Sequence, residues 1–181
     1  MQDKRDLIFL IFNKELENVI EEALKAAEAQ ESLLEQLLGL FRPHYKFFAK
    51  DPTLSRILLK DMIFYSDGKQ AAEFQRIRGR LLSGIEKAVG AAQREQQIKS
   101  DEETAIIARN IFLVFAGGLR WWIAGIKPDA REGLLQLRRF LELQISGLHP
   151  SRGRIRGAVR QGRQHAADRQ GSGNSARKNK G

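Results

Sequence analysis

The sequence predicts an all-α protein of six helices, and three observations support this fold class. Apolar residues recur three or four positions apart through most of the first 148 residues, as expected for helices with one buried face. Only four prolines interrupt the chain: Pro43, Pro52, Pro128 and Pro150. No run alternates Val, Ile or Thr with polar residues, so the sequence gives no support for β-strands.

The first helix is predicted over about residues 3–30 and carries one apolar face. The segment Leu7–Phe12 (LIFLIF) differs from the rest of this helix, because it is apolar on every side. A helix that is apolar all round must be covered all round. We therefore expect another domain or a partner to pack against this segment.

The second and third helices follow directly. The second is predicted over 32–50, with Ser32 as its N-cap and a kink at Pro43, which lacks a backbone donor and crowds the preceding turn. A third, shorter helix begins at the next two residues. Asp51 is placed to cap it, and Pro52 occupies the favoured first helical position.

Three further helices complete the predicted fold. The fourth spans about 69–97, and the fifth runs from a cap at Ser100, followed by acidic residues that suit the helix dipole, to about Gly125. A short turn at 127–129 leads into the sixth helix, which ends at about residue 146 before a glycine.

The net charge of +9 is concentrated at the C-terminal end of the sequence. Residues 149–181 contain nine Lys and Arg and one acidic residue, whereas residues 1–148 contain 22 basic and 21 acidic residues. The segment 149–181 also lacks the apolar residues needed to offset ordering entropy. We predict a helical domain at 1–148 and a disordered basic tail at 149–181. Such a tail can contact phosphates, but a solvated tail with no specific role is the plainer interpretation.

Several function classes lose support. There is no cysteine, and the three histidines are too far apart in sequence to suggest a metal site, so neither metal nor cofactor is expected. No nucleophile–base set, paired carboxylates or glycine-rich phosphate loop is present, so we do not expect an enzyme. The longest apolar stretch, Ile111–Leu119, is far shorter than the about 20 residues of a membrane span. A cytoplasmic protein with no membrane partner is expected.

The last two helices suggest a subunit interface. Glycine costs about 1 kcal/mol relative to alanine inside a helix, so consecutive glycines in the fifth helix indicate close packing of another helix. The sixth helix has more apolar surface than one core contact needs. Two such helices from each of two subunits form a four-helix bundle, although both could instead belong to the core of a monomer. The candidate interface residues are Ala116, Gly117, Gly118, Trp121, Leu134, Leu137, Phe140, Leu141 and Ile145.

Three short segments, together with the order of helices, resemble one known family. They are Lys4-Arg5-Asp6-Leu7, Asp51-Pro52-Thr53-Leu54 and Gly118-Leu119-x-x-Trp122. The first resembles the Ser-Lys-x-x-Leu element that follows the recognition helix of TetR-family transcription regulators. The second resembles the start of a short helix in their C-terminal domain, and the third a stretch near its end. The resemblance covers about residues 3–148.

The resemblance implies a homodimer that senses a small, often apolar effector in a helical cavity and alternates between conformations that do and do not fit operator DNA. Operator DNA would be bound only through an N-terminal helix-turn-helix, for which no residues of this chain match. An incorrectly assigned start, a deliberate truncation or a genuine deletion would explain this. Leu7, Ile8 and Ile11 would then pack against that domain. The alternative is a stand-alone helical module that pairs with a full-length regulator. Whether repression or activation results stays open.

We expect the effector cavity between the first, second, fourth and fifth helices. Asn110 interrupts a run of large apolar residues, so it is expected to contact the effector or to bond another helix. His44 could instead lie at the surface, and ordinary core packing is the more frequent role for any single aromatic residue. The candidate effector-binding residues are Phe41, His44, Tyr45, Phe48, Met62, Tyr65, Phe74, Ile77, Arg78, Leu81, Asn110, Leu113 and Trp122.

Overall fold

A computed structural model describes the backbone of residues 4–64 and 68–148, and the side chains of 6–60 and 68–148. Within these ranges it contains α-helices and no β-strand, which confirms the all-α prediction. The side chain of Met62, residue Tyr65 and the predicted tail at 149–181 lie outside the described residues. The helices are α1 (Lys4–Glu28), α2 (Leu33–Ala49), α3 (Pro52–Phe64), α4 (Lys69–Arg94), α5 (Thr104–Ile123) and α6 (Ala130–Gly147).

The central element is α2, which contacts all five of the other helices. Its buried residues point in several directions around the helix axis, because α1, α4, α5 and α6 together surround it. Pro43 lies inside this helix without ending it. The sequence left open whether α5 belongs to a subunit interface or to the core of a monomer. In the structure one side of α5 is buried in the core, and one long side is exposed.

Polar side chains cap the N-termini of three helices, α2, α3 and α6. Ser32, Asp51 and Asp129 each accept a hydrogen bond from the backbone N–H three residues further on, at 3.3, 2.9 and 2.9 Å. Each bond satisfies one of the unpaired donors at the start of a helix. The predicted capping roles of Ser32 and Asp51 are confirmed.

The start of α5 differs from the prediction, because the helix begins at Thr104 and not after Ser100. The amide of Gln93, on α4, donates to the backbone carbonyls of Ser100 and Glu102, at 3.4 and 3.0 Å. Its oxygen accepts a 2.6 Å hydrogen bond from the Thr104 hydroxyl. These tertiary bonds hold residues 100–103 as a loop and override the local capping signal.

The end of α4 also comes earlier than predicted, at Arg94. Gln96 adopts a left-handed backbone with φ of 57°, and the Gln97 N–H bonds the Ala92 carbonyl at 2.8 Å, as in a helix-terminating Schellman motif. The Gln97 side chain then accepts a 2.8 Å hydrogen bond from the Leu33 N–H. The end of α4 thereby fixes the beginning of α2.

Only two of the six side chains in the apolar segment Leu7–Phe12 are buried within the chain. Phe12 is buried against Phe47, with ring centroids 5.4 Å apart, and Phe9 is buried as well. The three residues proposed to pack against a further domain are exposed instead: Leu7, Ile8 and Ile11. Each of these side chains is about half exposed, and their docking role stays a prediction.

Among the described residues, α5 is the helix whose length and composition would suffice to cross a membrane. Core helices pass the same test. Ile107, Ile111 and Phe115 of α5 are buried in the core of this chain. Core packing therefore explains the apolar character of this side of the helix.

Candidate functional site

A cavity of about 260 Å³ lies inside the helical domain, between α1, α2, α4 and α5 with one residue from α3. Its volume is near the lower end of small-ligand pockets, which run from about 300 Å³ upwards. Its walls are mostly apolar. The lining residues are Leu16, Ile20, His44, Phe48, Leu59, Phe74, Ile77, Arg78, Leu81, Phe112, Leu113, Phe115, Ala116, Leu119 and Arg120.

The structure brings together one group of the predicted effector-binding residues around this cavity. Two come from α2, four from α4 and one from α5, and they converge because these helices pack side by side. They are His44, Phe48, Phe74, Ile77, Arg78, Leu81 and Leu113.

Three other predicted residues lie in the core and do not line the cavity. The ring of Phe41 stacks on that of Phe115, with centroids 4.2 Å apart and planes 8° from parallel. Tyr45 packs on Trp122 at a centroid distance of 4.7 Å. The Trp122 indole N–H donates to the Asp129 carbonyl at 2.7 Å, so this side chain fixes the turn between α5 and α6.

Asn110 is exposed on α5 and does not line the cavity, contrary to the expectation of a buried amide. It lies three and seven residues before Leu113 and Gly117, and these positions share one exposed side of the helix. Apolar residues before and after Asn110 in the sequence lie on several sides of the helix, so they do not show which side faces the core. The position therefore belongs to an outer surface of the chain.

Sequence reasoning missed eight lining residues, most of them on α1 and α5. On α5 the missed positions follow the helical repeat, so a correct choice of cavity face would have found them together. Ala116 was assigned to the subunit interface but lines the cavity. The missed residues are Leu16, Ile20, Leu59, Phe112, Phe115, Ala116, Leu119 and Arg120.

His44 is a buried, neutral polar group in the cavity wall, and not a surface residue. Its Nδ1 lies 2.9 Å from the Leu40 carbonyl oxygen. A carbonyl only accepts, so Nδ1 carries the proton and Nε2 is an acceptor. Burial lowers the pKa of His44 to about 4, although the bond to Leu40 opposes this shift.

This environment makes folding stability depend on pH. The pKa of His44 is about 4 in the folded chain and ordinarily 6.5, so the unfolded chain binds the proton more readily. The contribution of neutral His44 to the free energy of unfolding is therefore fully present above pH 6.5 and is lost as the pH falls towards 4. We expect the free energy of unfolding to drop by about 2–3 kcal/mol between pH 7 and pH 4.5.

Urea unfolding at both pH values, for the wild type and for His44→Leu, would measure this difference. Other groups titrate in both proteins, so only the difference between their pH profiles reports on His44. The His44→Leu chain should lose about 2–3 kcal/mol less than the wild type over this interval. Parallel profiles for the two proteins would contradict the assignment.

A second notable feature is an apolar surface on α5 and α6, which we call the α5–α6 face and define by Ile106, Leu113, Trp121, Leu135, Phe140 and Leu143. Leu113, Trp121 and Leu143 are 69, 76 and 71% exposed. Large exposed apolar patches mark interaction sites on proteins. Gly117 lies exposed on the same side of α5, and a Cβ added there would meet nothing within 4 Å.

The predicted interface residues divide between this face and the core. Gly117, Trp121 and Phe140 are exposed, whereas Leu137 and Leu141 are fully buried within the single chain. A Cβ on Gly118 would lie 3.4 Å from the Tyr45 hydroxyl, so the close approach at Gly118 is made by this chain's own core. The structure thus places Gly118, Leu137 and Leu141 in the core of the single chain. Two further predicted residues, Leu134 and Ile145, are partly buried against that core.

Within the described ranges, no group of three or more His, Asp or Glu residues is placed to hold a metal ion. The described lining of the cavity contains one imidazole, two guanidinium groups and otherwise apolar side chains. Such a lining suits an apolar molecule with a polar end.

The fold is similar to that of the transcriptional regulator FadR from Bacillus subtilis, whose crystal structure was determined in complex with stearoyl-CoA. The match has a TM-score of 0.67 and 17% sequence identity, and it covers 82% of this chain and 78% of the FadR chain. At this identity the similarity concerns the fold. No family model matches the chain, and no curated protein sequence does. The chain thus shares the helical fold of the matched part of FadR.

Proposed function

We propose that this chain is the effector-binding and dimerisation part of a cytoplasmic transcription regulator of the TetR type. The observation that carries the proposal is the apolar cavity bounded by α1, α2, α4 and α5. It occurs in a fold similar to that of FadR, a regulator crystallised with a molecule that bears a long acyl chain. The three segments that resemble the TetR family support the finer assignment.

The proposed effector is small and hydrophobic. Phenylalanine, leucine and isoleucine side chains form most of the wall, and His44 adds one neutral hydrogen-bond acceptor. Binding in such a site draws its free energy from apolar burial and its orientation from a few polar groups. The cavity is bounded by both α4 and α5, so an effector that changes their spacing would also move the α5–α6 face.

The proposed assembly is a homodimer through the α5–α6 face. In a two-fold arrangement the same apolar surface is buried on both copies, and four helices form a bundle. The exposed glycine at position 117 supports this arrangement. No described residue of the single chain comes within 4 Å of a Cβ placed there, so none of them requires a glycine.

The proposed route to operator DNA is a helix-turn-helix domain preceding α1. The exposed side chains of Leu7, Ile8 and Ile11 would be covered by that domain. A second candidate function uses the same surfaces differently: the chain pairs with a full-length relative through the α5–α6 face. Co-expression with such a relative distinguishes the two, because the second candidate requires mixed dimers.

The effector site can be tested by thermal unfolding with decanol as an apolar probe. At a free concentration of 100 times the Kd, binding should add about 2.7 kcal/mol, which raises the Tm by roughly 5–10 °C in a domain of this size. Ala116→Phe places a ring in the cavity and should abolish this shift. Ala72→Phe, on the exposed side of α4, is the matched control and should retain it. A folded wild type that gains no stability from decanol would contradict the proposed effector site.

A further inference from the structure

Two arginines at the cavity have no ion-pair or side-chain hydrogen-bond partner among the described residues. Arg78 of α4 and Arg120 of α5 both line the cavity and are both exposed to solvent. Neither forms an ion pair or a side-chain hydrogen bond with a described residue. The neighbouring arginines of α4, Arg76 and Arg80, instead pair with Glu17 of α1. The arginines on the outer side of α4 are thus paired with acidic residues, whereas no described acidic residue pairs with Arg78 at the cavity.

Arg78 and Arg120 both line the cavity and lie about one helical turn apart along it. The two helices run antiparallel, since Thr104 at the start of α5 lies beside Gly90 near the end of α4, with 3.7 Å between an added Cβ and the threonine methyl. Counting along both helices from this contact places Arg78 level with Ala116, and Arg120 one turn further along α5. At about 1.5 Å per residue, the two positions are roughly 6 Å apart along the helix pair.

The charge of these two arginines is not balanced by the rest of the described lining. No acidic side chain is among the described residues that line the cavity. A guanidinium group presents several N–H donors in a plane and binds carboxylates and phosphates in a bidentate manner. The deeper wall is apolar, and its histidine is neutral. An apolar interior beside two cations that no described residue pairs with is complementary to an amphiphile with an anionic end.

We propose that the effector is an amphiphile with an apolar chain and an anionic head, and that Arg78 and Arg120 bind the head. This inference rests on the proposed effector site. The cavity of about 260 Å³ has room for roughly nine groups the size of a water molecule or a methylene, at about 30 Å³ each. A chain of about ten carbons therefore fills it. The anion is either the carboxylate of a fatty acid or the phosphates of an acyl thioester of coenzyme A.

Calorimetric titration of the full chain with decanoate, decanol and decanoyl-CoA tests the proposal. We expect decanoate or decanoyl-CoA to bind the wild type at least tenfold more tightly than decanol. Arg78→Gln and Arg120→Gln should each weaken the preferred anionic probe by roughly tenfold, as expected for loss of a charge-assisted hydrogen bond. Decanol binding should change by less than about twofold. Arg109→Gln, an exposed arginine of α5 that does not line the cavity, is the matched control.

The outcomes separate this inference from the function on which it rests. Preference for decanoate identifies a free carboxylate as the head, and preference for decanoyl-CoA identifies the phosphates. Decanol binding as tightly as both anionic probes would overturn the inference while leaving an apolar effector site intact. Equal weakening by Arg109→Gln and the two cavity variants would also overturn it. Binding of none of the three probes to a folded chain would overturn the effector site as well.

Discussion

Gly39→Leu is expected to lower the free energy of unfolding by more than about 3 kcal/mol, the upper end of the usual cost of overpacking. A Cβ at Gly39 would lie 2.9 Å from the Ala26 carbonyl oxygen and 3.0 Å from the Ala27 Cα. These atoms belong to the backbone of α1, so no rotamer change relieves the contact. The two helices would have to separate, and their separation would expose the core around α2. Chemical denaturation of the purified chain measures the loss.

Gly79→Leu is the matched control for this substitution. Gly79 lies on the exposed side of α4, and an added Cβ there meets nothing within 4 Å. Leucine is a better helix former than glycine, so this change should raise the free energy of unfolding by up to about 1 kcal/mol. Similar values for the two variants would mean that α1 and α2 do not approach closely at Gly39.

The contact at Gly39 also shows the limit of the sequence prediction. Glycines in α5 drew attention because they are consecutive, whereas the single Gly39 of α2 gave no local signal. Its role depends on the small Ala26 and Ala27 lying opposite it, thirteen and twelve residues earlier in the chain. Periodicity identifies the apolar face of each helix but not the position at which two faces cross.

Helix boundaries were predicted correctly where a nearby side chain caps the helix. They were predicted wrongly where a contact with another helix sets the boundary. Ser32 and Asp51 cap α2 and α3 through bonds that span three residues, and both were found from the sequence. Ser100 has the same local pattern, with acidic residues following. It does not cap α5, because the Gln93 side chain of α4 holds the intervening loop. Such a bond depends on the approach of two helices and cannot be read from residues 100–104 alone.

The same distinction applies to the candidate site. The sequence suggested a buried Asn110 and allowed an exposed His44, and the structure has the opposite arrangement. Both are polar residues within apolar stretches. His44 is buried because other helices cover α2 on nearly all sides. Asn110 is exposed because one side of α5 is not covered by any described helix. Whether each residue is buried depends on how many helices pack around its own helix. The sequence next to each residue does not carry that information.

The double substitution of Trp121→Asp and Leu143→Asp is expected to raise the dimer dissociation constant at least about a thousandfold, or about 4 kcal/mol. Both side chains are more than two-thirds exposed in the single chain and belong to the α5–α6 face. Central apolar residues of an interface are commonly worth about 2 kcal/mol or more each, and two-fold symmetry places every substitution in the dimer twice. Sedimentation equilibrium distinguishes a 20.6 kDa monomer from a species of twice that mass.

Two controls connect any dissociation to this face. Ile57→Asp introduces the same charge on α3, at another exposed apolar residue, and should leave the dimer intact. Gly117→Ala is a finer probe, because it should stabilise the single chain by about 1 kcal/mol, as Gly79→Ala should, while weakening the dimer. Opposite effects on folding and association would arise if a second copy approaches closely at Gly117. A wild type that remains monomeric at micromolar concentration would contradict the homodimer. Dissociation by Ile57→Asp alone would instead place the interface on the side of the chain that carries α3.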